Sequence, residues 1–168
     1  MTDRVLVLVR HAKAVAAAAT DAQRALADRG HRDASAAGRW LAQLGLSPDL
    51  AVVSPAVRAQ ETWTDIATAL DGHARSTDGR IYENTIDDLF DVIADVEGDI
   101  KTLVLVGHNP SMHGLAVTLD DGTGDADASA AIRSDYPTCG IAVFDVANAW
   151  QDLRHGSARL RAFDAPRG

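Results

Sequence analysis

The chain carries one cysteine, Cys139, in 168 residues. It therefore forms no internal disulfide, and its cysteine usage points to no oxidising compartment. Aromatic side chains are scarce, at 5%, so the core has to be built from aliphatic residues and alanine. Positive charge is in short supply too: Lys+Arg 16 against Asp+Glu 24 leaves a net charge of −8. Such a chain is a poor general binder of nucleic acid or of an anionic membrane. Neither partner is expected, and any anion site must be a local positive pocket. Long apolar runs are missing as well. The run after Met1-Thr2-Asp3-Arg4 spans only Val5 to Val9, whereas a membrane span needs about 20 apolar residues. No signal peptide is read there, and a cytoplasmic location is expected. With no cysteine cluster, and with His108 and His113 off the i, i+4 spacing of a zinc-binding helix, neither a metal nor another cofactor is expected.

What is present are two β-branched runs that stop in the same way. Val5-Leu6-Val7-Leu8-Val9 ends at Arg10-His11, and Thr102-Leu103-Val104-Leu105-Val106 ends at Gly107-His108. In an open α/β sheet, ligands bind beyond the carboxyl ends of the strands. Two neighbouring parallel strands would thus deliver His11 and His108 to one rim, beside Arg10.

The remaining pattern is strand alternating with helix. Strands are read at 4–9, 50–53 and 101–106, with a weaker edge strand at 75–82. Helices are read from His31 to Leu44, from Pro55 to about Leu70 with Ser54 as cap, from Thr85 to Gly98, and from Pro110 to about Leu119. The stretch 120–138, rich in Asp, Gly, Ala and Ser, reads as a mobile loop. The stretches 140–146 and 157–163 alternate and are expected to pair as antiparallel strands. A single domain over 1–168 follows, of α/β class: a three-layer α/β/α sandwich with a mostly parallel central sheet.

Several side chains fit the chemistry of a phosphoryl group. Arg58 falls in the first turn of its helix, where the dipole favours an anion. The helix opening at Asn109-Pro110 gives a second such terminus. Two guanidiniums present paired donors that match phosphate oxygens. A neutral imidazole, His11, can attack phosphorus and hold the phosphoryl group covalently. Nearby arginines disfavour a second cation and so help keep it neutral. Glu83 is the candidate proton donor for a leaving group. Taken singly, each of these residues is more often structural or a surface group; His31, His73, His113 and His155 are read as just that.

In combination they resemble the histidine phosphatase superfamily, the phosphoglycerate-mutase-like clan. The resemblance rests on Leu8-Val9-Arg10-His11-Ala12, on Val53-Ser54-Pro55-Ala56-Val57-Arg58-Ala59-Gln60-Glu61-Thr62, and on Val106-Gly107-His108-Asn109-Pro110. Arg24-Ala25-Leu26-Ala27-Asp28-Arg29-Gly30 also matches the family's segment before its first long helix. The resemblance implies a phosphoglycerate-mutase-like fold, His11 as the phosphorylated nucleophile, and Arg10, Arg58 and His108 as the rest of the phosphate pocket. It places Glu83 near the acid position and makes Asn109 a further phosphate contact. Ala12-Lys13 stands where many members carry Gly-Glu. The chain between Arg58 and Glu83, and between Glu83 and His108, leaves little for a lid beyond one helix each. That is most similar to the SixA-type branch, whose members act on phosphohistidine in proteins. The expected partner is a phosphorylated protein. The alternatives are a phosphatase for small phosphomonoesters such as sugar phosphates, with Glu83 as an essential acid, and a non-catalytic phospho-ligand binding module.

Overall fold

A computed structural model describes residues 4–71 and 74–168. Met1 to Asp3, and Gly72 with His73, lie outside the described residues. Six strands form one sheet: β1 (Arg4–Arg10), β2 (Leu50–Val53), β3 (Arg75–Thr77), β4 (Thr102–Gly107), β5 (Ile141–Val146) and β6 (Ala158–Asp164). Their spatial order is β3-β2-β4-β1-β5-β6. The first four pair in parallel; β5 runs antiparallel to β1, and β6 antiparallel to β5.

Strict alternation in the central strands sorts the core into two. Leu6, Leu8, Leu103 and Leu105 face one side of the sheet; Val7, Val9, Val104 and Val106 face the other. The valine face is covered by α1 (Asp28–Gln43) and α2 (Val57–Ala67), through Ala34, Ala37, Leu41, Trp63 and Ile66. Gly38 lets these two helices approach closely, since a Cβ there would meet the Ile66 carbonyl oxygen at 2.4 Å. The leucine face is covered by α3 (Gly79–Glu83), α4 (Ile86–Ala94), α5 (Ser111–Leu119) and α6 (Ala126–Ser134). The three layers and mostly parallel sheet expected from the sequence are therefore present.

Four local expectations need correction. The stretch 120–138 is not irregular throughout. Asp125 accepts the Ala128 N–H at 2.8 Å and caps α6, while Ala128 and Ile132, one helical turn apart, reach the core. Its polar composition reflects the exposed face of a helix. The stretch 75–82 pairs only through Thr77. Asp78 then accepts the Arg80 N–H at 2.9 Å and starts α3. Ser54 does not cap α2, which begins at Val57 behind Ala56 and ends at Ala67; the Ser54 hydroxyl is drawn elsewhere. Finally, α1 starts at Asp28 rather than His31, because Ala27 anchors the entry by donating to the Lys13 carbonyl at 2.9 Å.

Among the described residues, no helix is long and apolar enough to cross a membrane.

Candidate active site

The register Arg10↔Gly107 closes the β1–β4 ladder, so the chain leaves both strands at the same level. The two rings that follow, His11 and His108, stand with centroids 5.2 Å apart and planes inclined by 54°. Gly107 makes room at this corner: a Cβ there would meet Ile81 at 2.7 Å and Met112 at 2.9 Å. Arg58, on the first turn of α2, reaches the same point from β2. All four predicted residues line one open cavity of ≈ 600 Å³, together with Asp21, Arg24, Tyr82, Glu83 and Asn109.

Each floor residue is held by specific contacts. His11 Nδ1 lies 2.8 Å from the Ala12 carbonyl oxygen. A carbonyl only accepts, so Nδ1 carries the hydrogen and Nε2 keeps its lone pair. The Ala12 N–H donates to Thr62 Oγ1 at 3.0 Å, and that hydroxyl donates to the Arg58 carbonyl at 2.6 Å, tying the backbone beside His11 to α2. His108 Nε2 meets the buried Ser54 hydroxyl at 2.7 Å, which is where the expected cap is spent. One guanidinium nitrogen of Arg10 donates to the Tyr136 carbonyl at 3.1 Å. Tyr136 is itself fully buried, its hydroxyl donating to the Leu8 carbonyl at 2.6 Å and accepting from the Ala142 N–H.

Burial decides the charge state of the imidazoles. His11 has its pKa lowered to about 4, chiefly by desolvation; the Ala12 carbonyl opposes this, and Arg58, Arg10 and Arg24 add to it. The arginines help to keep this ring neutral, as the sequence suggests, but burial does most. His108 is pushed down to about 3, again first by burial and then by His11 and Arg58. Arg10 Nε, Arg58 Nε and His108 Nδ1 are buried with no hydrogen-bond partner in the protein. Buried polar groups of that kind are normally satisfied. These three atoms lie behind the cavity surface, in residues whose other polar atoms line it.

The rim is built differently. Asp21, in a 3-10 turn over Asp21–Gln23, joins three donors. Its carboxylate accepts from Tyr82 Oη at 2.5 Å, Arg24 Nε at 3.0 Å and Arg58 Nη2 at 3.1 Å, and its carbonyl accepts from Arg58 Nη1 at 2.8 Å. The Tyr82 hydroxyl, then Arg24 and Arg58, hold this carboxyl well below the usual carboxylate range. The Tyr82 ring stands edge-on to His108, centroids 5.6 Å apart. Asp21, Arg24 and Tyr82 were missed as site residues. Arg24 had a signal, since it heads the Arg24–Gly30 segment and sits three residues after Asp21; Tyr82 had none.

Glu83 lines the cavity and is exposed, at the end of α3 rather than after a strand. Asn109 also lines it, but its carboxamide is already engaged. It donates to the Tyr136 carbonyl at 2.9 Å and accepts from the His113 N–H at 3.2 Å. The first turn of α5 is similarly occupied: Asn84 Oδ1 takes the Ser111 N–H, and the His108 carbonyl takes that of Met112. This helix start offers an anion its dipole more than open N–H groups. His113, read as structural, donates from Nε2 to the Ile132 carbonyl at 2.5 Å; His31 pairs with Asp65 at 2.6 Å.

Comparison with known proteins bears on family and fold. A family model described as "Histidine phosphatase superfamily (branch 1)" matches residues 6–89. An uncharacterised protein of Mycobacterium tuberculosis is 37% identical over 95% of this chain and 100% of its own. A solved structure from Nakamurella multipartita, assigned as the phosphohistidine phosphatase SixA, superposes with a TM-score of 0.85 at 29% identity, covering 97% of this chain and 96% of that one. A phosphoglycerate mutase from Plasmodium falciparum shares the fold with a TM-score of 0.62 at 18% identity, over 100% of this chain and 94% of its own.

Proposed function

We propose, for a chain that belongs to the histidine phosphatase superfamily, that it hydrolyses phosphohistidine in proteins through a phosphorylated His11. The observation that carries this reading is the free Nε2 of His11, presented among two arginines and a second imidazole. In the first step His11 Nε2 attacks phosphorus, and the P–N bond to the substrate imidazole breaks. Arg10 and Arg58 stabilise charge on the equatorial oxygens of the transferring group, and His108, a neutral ring with its Nε2 on Ser54, lines the pocket beside them. In the second step water attacks phospho-His11, releasing phosphate and restoring the neutral ring. Both steps are served by protein cations, with no metal assigned to them.

The choice of phosphohistidine over a sugar phosphate rests on the leaving group and the mouth. Imidazole departs more readily than an alkoxide, so an exposed Glu83 that is not built into the floor is sufficient. The open rim admits a ring carried on a protein surface, and the likeness to a structure assigned as SixA supports the same substrate class. A phosphatase for small phosphomonoesters remains the rival reading, with Glu83 as its essential acid. A non-catalytic phosphate binder has less support, since binding needs the arginines but not a lone pair on His11.

The deciding experiment is a substrate panel containing a phosphohistidine domain and several sugar phosphates, run with wild type and Glu83→Gln. The reading predicts preference for the phosphohistidine domain, with Glu83→Gln lowering its turnover by no more than about threefold, the effect of a group outside the required set. Preference for sugar phosphates, with turnover abolished in the variant, would replace it by the rival.

A further inference from the structure

The floor of the site accounts for phosphate, and the carboxylate of Asp21 stands at its rim, paired with Arg24, Arg58 and Tyr82. Holding Arg58 uses only part of its accepting capacity. We infer that Asp21 is the specificity-determining residue: its carboxylate accepts the N–H of the leaving imidazole of a phosphorylated histidine. This rests on the phosphohistidine reading above and adds the group that distinguishes P–N from P–O substrates.

Three observations support it. An ionised carboxylate offers about four lone-pair sites. Arg24 Nε takes one on Oδ1, while Arg58 Nη2 and Tyr82 Oη take two on Oδ2. One site on Oδ1 stays open, and the side chain is 54% exposed. Secondly, Arg58 joins the Asp21 carboxylate to the phosphate pocket, fixing the carboxylate one guanidinium away from the phosphoryl oxygens. In-line displacement requires the leaving group to depart on the side opposite His11, and the proposal puts the Asp21 rim on that side. Thirdly, the Tyr82 ring stands as a wall between His108 and Asp21, a flat aromatic surface beside the path of a departing five-membered ring.

The chemistry balances without a proton donor. A phosphohistidine ring protonated on its remote nitrogen is cationic. When the P–N bond breaks, its electron pair returns to the ring nitrogen, and imidazole leaves neutral with the remote N–H intact. Asp21 stabilises that cationic ring and holds its N–H throughout. The same carboxyl, kept ionised by Tyr82, Arg24 and Arg58, has no proton to give an alkoxide. A site of this kind favours phosphoramidates and gives phosphomonoesters no comparable help.

The test compares wild type with Asp21→Asn on phosphoimidazole and on p-nitrophenyl phosphate, whose leaving group departs as a stable anion. Asparagine keeps an acceptor for Arg58, and the second substrate reads any damage to the phosphate pocket. Asp21→Asn is expected to lower kcat/KM on phosphoimidazole at least about tenfold more than on p-nitrophenyl phosphate, the worth of one charge-assisted hydrogen bond. Equal losses on both substrates would overturn the proposal and leave Asp21 as a brace for Arg58. If wild type hydrolyses monoesters but neither phosphoimidazole nor a phosphohistidine domain, the functional reading fails before the variant is made, and the proposal falls with it.

Discussion

The floor and the rim of the cavity are made by different means. Arg10, His11 and His108 leave the ends of two adjacent central strands, and Arg58 sits on the first helical turn after a third. Arg58 is 6% exposed, His11 9% and His108 5%. The rim residues Asp21, Arg24, Tyr82 and Glu83 come from a 3-10 turn and a five-residue helix at the edge of the fold. Strand register holds the floor, so its geometry is set by the core. Side-chain hydrogen bonds hold the rim, so it can change without changing the sheet. The contrast is the basis of the proposed division of labour, in which the floor would perform phosphoryl transfer and the rim would select what is attached to phosphorus.

Substitutions should separate the two regions. His11→Ala should have the largest effect, lowering turnover of every substrate by about 10⁴-fold or more, because the covalent route is lost. Steady-state assays on both substrate classes check this; retention of one class would break the comparison at its root. Arg58→Lys comes next. A point charge replaces the fork, and kcat is expected to fall about 10²-fold on phosphoramidates and monoesters alike. A loss confined to one class would move Arg58 from floor to rim.

The charge state of the floor sharpens the comparison through pH. His11 and His108 titrate near 4 and 3 in the folded chain against 6.5 as the ordinary value. Depressed pKa values mean that the unfolded chain binds more protons between these limits. The stabilisation is full above about pH 6.5 and is lost as pH falls through the folded values. His11 alone accounts for about 3 kcal/mol across that window. Urea midpoints should therefore drop from pH 7 to pH 4, and His11→Ala should flatten the curve. A midpoint unchanged over that range would contradict burial as the main cause. The smallest effect belongs to Glu83→Gln on phosphohistidine, already placed at no more than about threefold.

The same division explains what could be read from the chain. The floor was legible because its residues are tied to period-two apolar runs and to the turns that end them. Leu6 and Val7 alternate between faces, and whatever follows Val9 must emerge at the sheet edge. The mostly parallel sheet and the β5–β6 pairing were visible for the same reason. The rim was not legible, since its partners meet only through the fold. Nothing near Asp21 announces Tyr82, and nothing near Tyr136 announces that its carbonyl holds Arg10 and Asn109. Ser54 shows the limit most clearly. Its position before Pro55 fits a helix cap, yet its hydroxyl is bonded to a histidine from another strand. The α6 segment does not stand out in the sequence because, of its three buried residues, Ala128, Ser129 and Ile132, only Ile132 is a large apolar side chain.

The central claim is that His11 Nε2 carries the phosphoryl group between substrate and water. Rapid mixing with a ³²P-labelled phosphohistidine domain, an alkaline denaturing quench and peptide mapping would test it directly. The account predicts label on His11 during turnover, and neither label nor turnover in His11→Asn. Label on any other side chain, or steady hydrolysis by His11→Asn at the wild-type rate, would contradict it.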